Sequence, residues 1–148
     1  MPSSVCIITA RGGSKRIPRK NVREFCGKPM LAYSVETAVA SGIFDVVMVS
    51  TDDDEIADVA RKYGAEVPFM RSEATSNDYA TTSDVLREVL SDYGKCGAEF
   101  DTMCCLYPTA PFVQVSELKE ASAMIEAGAS SVIPVTSVSY THLRAHET

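Results

Sequence analysis

The chain has 148 residues, the size of one ordinary domain and enough to bury a real core. Hydrophobic residues make up 45% and the formal net charge is −6, which argues against a general nucleic-acid binder. No apolar run reaches the roughly 18 residues of a membrane span, and the first residues lack the charged start of a secretory signal, so a cytoplasmic protein is expected. The five cysteines, Cys6, Cys26, Cys96, Cys104 and Cys105, show no C-x-x-C spacing; idle or buried thiols in a reducing compartment are expected rather than a zinc site or disulfides.

Val5–Ala10 is a short continuous apolar run, as in a strand buried on both faces. A long polar loop follows. Pro29 is set to start a helix in which Leu31, Val35, Ala38 and Val39 fall at helical spacing, with Gly42 as its stop. Val46–Ser50 reads as a second buried strand. Thr51-Asp52-Asp53-Asp54 caps a helix running to about Tyr63, ended by Gly64. Glu66–Met70 reads as a short strand, and Arg71–Thr82 is a polar stretch without an apolar period.

Ser83–Tyr93 carries Val85, Leu86, Val89 and Leu90 at helical spacing. Asp101–Tyr107 reads as a strand, and Pro108-Thr109-Ala110-Pro111 as a rigid turn. Ser116 is expected to cap a helix to about Ala127, and Ser131–Val135 to form a last strand. This alternation predicts an α/β fold with a mostly parallel sheet and helices on both faces. Right-handed crossovers then gather residues 11–21, 51–54, 71–82 and 108–112 at one sheet edge, where they build one site.

Charge is focused on the first of these loops. Residues 11–28 hold seven of the fourteen basic residues against one acid, Glu24. Gly12 and Gly13 let the backbone turn sharply and approach a ligand, and N–H groups freed in such a turn form an anion-binding nest. Arg11 and Lys15 stand beside them, one suited to a bidentate grip and the other a mobile charge. Pro18 stiffens the second half and holds Lys20. The loop matches neither the Walker A nor the G-x-G-x-x-G spacing. A solvated basic turn is the competing reading, weakened because clustered cations repel one another without an anion.

The run A-R-G-G-S-K-R-I-P-R-K-N, followed by F-C-G-K-P-M-L-A-Y-S, closely resembles the N-terminal signature of the acylneuraminate cytidylyltransferases, the CMP-sialic acid synthetase family. The resemblance continues through V-S-T-D-D-D-E-I-A-D-V-A, G-A-E-V-P-F-M-R and Y-P-T-A-P-F, over about residues 5–136. It implies a Rossmann-like nucleotide-diphospho-sugar transferase fold. It also implies a reaction in which CTP and a nonulosonic acid give a CMP-sugar and pyrophosphate with Mg²⁺, the anomeric hydroxyl attacking the α-phosphate. Such a transfer needs alignment and charge neutralisation more than covalent help.

On the family's pattern Arg11, Ser14, Lys15 and Lys20 match positions that hold the triphosphate, with Gly12 and Gly13 between them. Lys20, aided by Arg11, is the candidate for stabilising the transition state. Asn21 and Arg71 match nucleotide-contacting positions. Asp78, Thr81 and Thr82 match the base- and ribose-facing segment, with helix capping as the competing reading of the two threonines. Tyr107 and Thr109 are candidate substrate contacts. Sialic acid members commonly carry Gln-Pro-Thr-Ser-Pro there; Tyr107 and Ala110 tilt the reading towards pseudaminic acid. Sialate, legionaminate or Kdo as substrate, and a non-catalytic nucleotide-binding module, are the alternatives.

The Asp52–Asp54 triplet reads as a helix cap in preference to a metal site. His142 and His146, four apart, lack a third ligand and read as idle. The resemblance places the Mg²⁺ carboxylates, much of the sugar pocket and a homodimer arm in a later half. The chain is therefore expected to be a C-terminally truncated α/β domain at residues 1–137, weakly active or inactive, with a tail at residues 138–148 that is non-native, reading as translated vector or sequencing adapter, or disordered.

Overall fold

A computed structural model describes residues 3–13, 19–135 and 137. In chain order the elements are β1 (Ser4–Thr9), β2 (Glu24–Phe25), β3 (Lys28–Pro29), α1 (Met30–Ser41) and β4 (Val46–Ser50), then α2 (Asp54–Lys62), α3 (Glu73–Ser76), α4 (Thr82–Lys95), β5 (Thr102–Leu106) and α5 (Val115–Glu126). Ser14, Lys15, Pro18 and both histidines of the tail lie outside the described residues.

Three parallel strands form the sheet in the order β4-β1-β5. The register sets Ile7 between Met48 and Cys105, and Ile8 between Val49 and Leu106. As the central strand, β1 is apolar on both faces: Val5, Cys6, Ile7 and Ile8 are fully buried. Cys6 and Ile8 meet Leu31, Val35 and Ala38 of α1, Ile56, Ala57 and Ala60 of α2, and Leu118 of α5. Val5 and Ile7 turn the other way, towards Val89 and Tyr93 of α4. Helices thus cover both faces, as expected from the alternating elements.

Local signals act as read. Gly42 closes α1 in the left-handed region (φ 67°), where a side chain is disfavoured. Asp53 caps α2, accepting the Ile56 N–H on Oδ1 at 3.0 Å. All five cysteines are free thiols. No helix among the described residues is long and apolar enough to cross a membrane.

Three expectations need correction. Ser131–Val135 forms no strand; Ile133 and Val135 are 77% and 91% exposed. An apolar run becomes a strand only beside a partner, and among the described strands β5 pairs with β1 alone. Glu66–Met70 narrows to one parallel bridge, Glu66 to Met48, because Pro68 has no N–H to continue a ladder. The cap of α5 falls at Gln114, not Ser116, two residues earlier: the Glu117 carboxylate accepts the Gln114 N–H at 3.0 Å. The sequence reading also missed the β2–β3 hairpin and α3. The hairpin is held by the Tyr33 hydroxyl, which donates to the Phe25 carbonyl.

Candidate functional site

The first strand lies between β4, reached by the first crossover, and β5, reached from the opposite face. The order therefore reverses at β1, and a crevice opens beyond the carboxyl ends of β1 and β5. A cleft of about 560 Å³ occupies that place. It is lined by Thr9, Arg11, Lys20 and Asn21 from the first loop, and by Arg71, Thr75, Asn77, Asp78, Ala80 and Thr81 from the third. Thr82 and Val85 of α4 and Tyr107, Pro108 and Thr109 after β5 complete it. Nine of the residues singled out from sequence meet here: Arg11, Lys20, Asn21, Arg71, Asp78, Thr81, Thr82, Tyr107 and Thr109. Gly12 and Gly13 lie just outside the lining.

Arg71 is anchored, not waving in solvent. Its Nη2 donates to the Ser50 carbonyl at 2.8 Å, its Nε to Ser50 Oγ at 3.2 Å and its Nη1 to the Thr75 carbonyl at 3.4 Å. All three acceptors are neutral, and Arg71 makes no ion pair among the described residues. Burial pushes its pKa below the ordinary value; Asp52 and Glu88 oppose this, while the like charge of Arg11 adds to it. A half-buried guanidinium without a carboxylate partner is costly unless an anion completes it. Glu88 supports the same corner. Its Oε2 accepts from Thr75 Oγ1 at 2.5 Å and from the Ser72 N–H at 3.4 Å. Burial raises the Glu88 pKa, but these bonds outweigh it and hold the carboxyl below its usual range.

Arg11 spans the cleft mouth, donating from Nη1 to Asp78 Oδ1 at 2.8 Å and to the Asn77 carbonyl at 3.1 Å. Asn77 in turn accepts the Tyr79 and Ala80 N–H groups at 2.8 and 2.9 Å, which fixes the turn that presents Asp78. Asn21 is 4% exposed; its Nδ2 donates to the Arg11 carbonyl at 2.9 Å, while its Oδ1 is buried without a hydrogen-bond partner. Lys20 is exposed and enters no ion pair with another described residue.

Of the two threonines, one caps α4 and both line the cleft. Thr81 caps α4 in a reciprocal box with Asp84, at 3.1 and 2.9 Å, and still lines the cleft. Thr82 Oγ1 stands 3.5 Å from the Tyr107 hydroxyl. The acidic triplet splits in role. Asp53 is the cap, and its carboxylate is also gripped by Arg19 at 2.6 and 2.9 Å. That fork, helped by the Ile56 N–H, holds the Asp53 pKa at about 2 despite partial burial. Asp52 Oδ1 accepts the Gly12 N–H at 2.8 Å. The described residues do not fit a resident Mg²⁺: no group of three His, Cys, Asp or Glu is placed to hold a metal, and Asp52 and Asp53 are already engaged.

Arg19, Asn77, Thr75 and Glu88 are the structural members that sequence reasoning did not assign. The first was visible only as one cation of the basic cluster. Its acidic partners sit more than thirty residues away, at spacings no local pattern reveals.

Sheet order and cleft position define a doubly wound α/β protein with its candidate site at the switch point. The family model for cytidylyltransferases matches residues 5–145, and the chain belongs to that family. Similar proteins include pseudaminic acid cytidylyltransferase of Campylobacter jejuni subsp. jejuni serotype O:2, 50% identical over 118 residues that cover 80% of this chain and 51% of that one. CMP-N,N'-diacetyllegionaminic acid synthase of Legionella pneumophila is 38% identical over 138 residues, covering 91% and 58%. Among solved structures, CMP:2-keto-3-deoxy-manno-octonic acid synthetase complexed with CTP superposes with a TM-score of 0.72 at 26% identity, over 85% of this chain and 48% of that one. The chain spans about half the length of these relatives.

Proposed function

We propose that this chain forms the nucleotide side of a cytidylyltransferase that couples CTP to a nonulosonic acid, pseudaminic acid first among them. The observation that carries the reading is the pair Arg11 and Arg71 on one cleft with Lys20, the second of them half-buried among neutral acceptors. A triphosphate supplies the missing negative charge. Lys20, exposed beside it, neutralises charge that grows on the phosphoryl oxygens and the leaving pyrophosphate. In the transfer the sugar's anomeric hydroxyl gives up its proton to solvent, its oxygen bonds to the α-phosphorus, the bond to the bridging oxygen breaks, and pyrophosphate leaves. Asn21 Oδ1, a buried acceptor with no partner, is suited to a donor on the nucleotide. Thr82 is assigned to the nucleotide, and Tyr107 and Thr109 to the second substrate. Full-length relatives of this kind are proposed to act as homodimers in the cytoplasm with Mg²⁺.

Calorimetric titration with CTP, GTP and CMP tests the reading. CTP is expected to bind, and more tightly than CMP. A folded chain that binds none of them overturns it. Pyrophosphate release with CTP, Mg²⁺ and a panel of pseudaminic, legionaminic, sialic and Kdo acids then ranks the sugars. Run on this chain and on a protein of the relatives' length, the same assay decides whether this stretch suffices for turnover. CTP binding without release in both would favour the non-catalytic module.

A further inference from the structure

The loop joining β1 to the β2–β3 hairpin is held at two points, Gly12 and Arg19, by one short segment, Asp52–Glu55 at the start of α2. At the first, Asp52 accepts the Gly12 N–H at 2.8 Å. Asp53 packs so closely there that a Cβ on Gly12 would stand 2.9 Å from the Asp53 Cβ. At the second, Arg19 grips both oxygens of Asp53, at 2.6 and 2.9 Å, and reaches Glu55 Oε2 at 2.8 Å. Arg19 adopts left-handed backbone, φ 57°. For a long side chain that conformation costs about 1 kcal/mol or more and persists only where its surroundings over-determine it. The next residue is Lys20, on the cleft wall.

We infer that Arg19 is a positioning residue: its fork on Asp53 and Glu55 fixes the strained turn that delivers Lys20 into the cleft. The inference rests on the nucleotide reading above. It explains why a residue one step from the cleft commits a full guanidinium to carboxylates that are not part of the cleft lining. It also explains why acids stand so near a basic anion-binding loop. Asp53 and Glu55 serve to hold Arg19 and its turn.

Three variants of the chain, titrated with CTP and with CMP and each followed by a thermal melt, test this. Asp53→Asn keeps an oxygen for the Ile56 N–H and so keeps the cap, but loses the ion pair. Arg19→Lys keeps the charge and loses the fork. Lys20→Ala reports on the nucleotide reading itself. Lys20→Ala is expected to weaken CTP much more than CMP. Asp53→Asn and Arg19→Lys are each expected to weaken CTP roughly twofold to fivefold, the span of a partly exposed charged pair, and to leave CMP unchanged. Combined with Lys20→Ala they are expected to add nothing, because the clamp acts through that lysine.

If the parent chain binds no CTP, or Lys20→Ala binds it unchanged, the nucleotide reading fails and takes this inference with it. If Lys20→Ala weakens CTP while both clamp variants bind like the parent, the positioning role is overturned and the nucleotide reading stands. The positioning role is likewise overturned if the clamp variants cost as much without Lys20 as with it. Should Asp53→Asn lose its cooperative melt, Arg19→Lys, changed only at a partly exposed side chain, carries the comparison.

Discussion

Arg71 is tied to Ser50 twice, by Nη2 on its carbonyl at 2.8 Å and by Nε on its hydroxyl at 3.2 Å. The bonds fasten the third loop to the carboxyl end of β4, and the Arg71 N–H adds a bond to the Thr51 carbonyl at 2.8 Å. A guanidinium held this rigidly loses little freedom when an anion arrives.

Replacing Arg71 separates its two duties. Arg71→Ala is expected to weaken CTP by roughly ten- to a hundredfold, the range of about 1.5–3 kcal/mol for a charged hydrogen bond. Arg71→Lys is expected to recover little, because an ammonium cannot make both Ser50 bonds and face the cleft together. Calorimetry on variants with intact melts measures this. Unchanged affinity in Arg71→Ala would reduce the residue to a strut.

The two glycines of the first loop differ sharply. A Cβ on Gly12 would lie 2.9 Å from both Cβ and Oδ2 of Asp53, whereas one on Gly13 meets nothing within 4 Å. Gly12→Ala must push α2 and the loop apart and strain the Gly12–Asp52 bond. It is expected to cost about 1–3 kcal/mol in urea melts, against under about 0.5 kcal/mol for Gly13→Ala. Equal costs would mean the loop moves freely over α2.

Which parts were legible follows from the range of the forces involved. The Val5–Ala10 run announced a central parallel strand because both its faces are buried, and Gly42 announced the end of α1 because only its backbone suits φ 67°. Arg11, Lys20 and Arg71 were found through charge, glycine and family pattern together, and the fold brings them to one cleft. The Arg19–Asp53 fork joins residues 34 apart, and nothing local marks it. Likewise α3 is one turn long and depends on Thr75 meeting Glu88, thirteen residues on. Ser131–Val135 shows the reverse failure: a strand-like run without a described partner.

Acid stability should report the Arg19–Asp53 pair. The fork lowers the Asp53 pKa from an ordinary 3.8 to about 2. Because the folded value is the depressed one, its stabilisation is full above about pH 3.8 and is lost as pH falls from there towards 2. Asp53 is 24% exposed and Arg19 39%, so solvent screening trims the gain to about 1 kcal/mol. Asp53→Asn is expected to be less stable than the parent by that amount at pH 7. The gap should close near pH 2 in urea melts run across the range. A gap that persists at pH 2 would assign the loss to the cap instead.

Tyr93 sits between two aromatic edges, 5.0 Å from the Phe69 ring and 5.2 Å from the Phe100 ring, both near perpendicular. The ring belongs in this cluster with Val5, Ile7 and Met48, but its hydroxyl is buried with no hydrogen-bond partner. Burial, reinforced by Glu66, pushes the phenol up to about 12, so it stays neutral and unsatisfied. Removing the oxygen keeps both edge-to-face contacts and lifts a desolvation cost of about 1 kcal/mol or more. Tyr93→Phe is therefore expected to raise the urea midpoint with CTP affinity unchanged, since the side chain lies across the sheet from α1 and away from the cleft lining. Tyr93→Ala is expected to cost about 3–5 kcal/mol by leaving a ring-sized cavity under α4. A destabilised Tyr93→Phe would mean that the hydroxyl holds a bond worth more than its desolvation, and the cluster would then be a polar support rather than an apolar one.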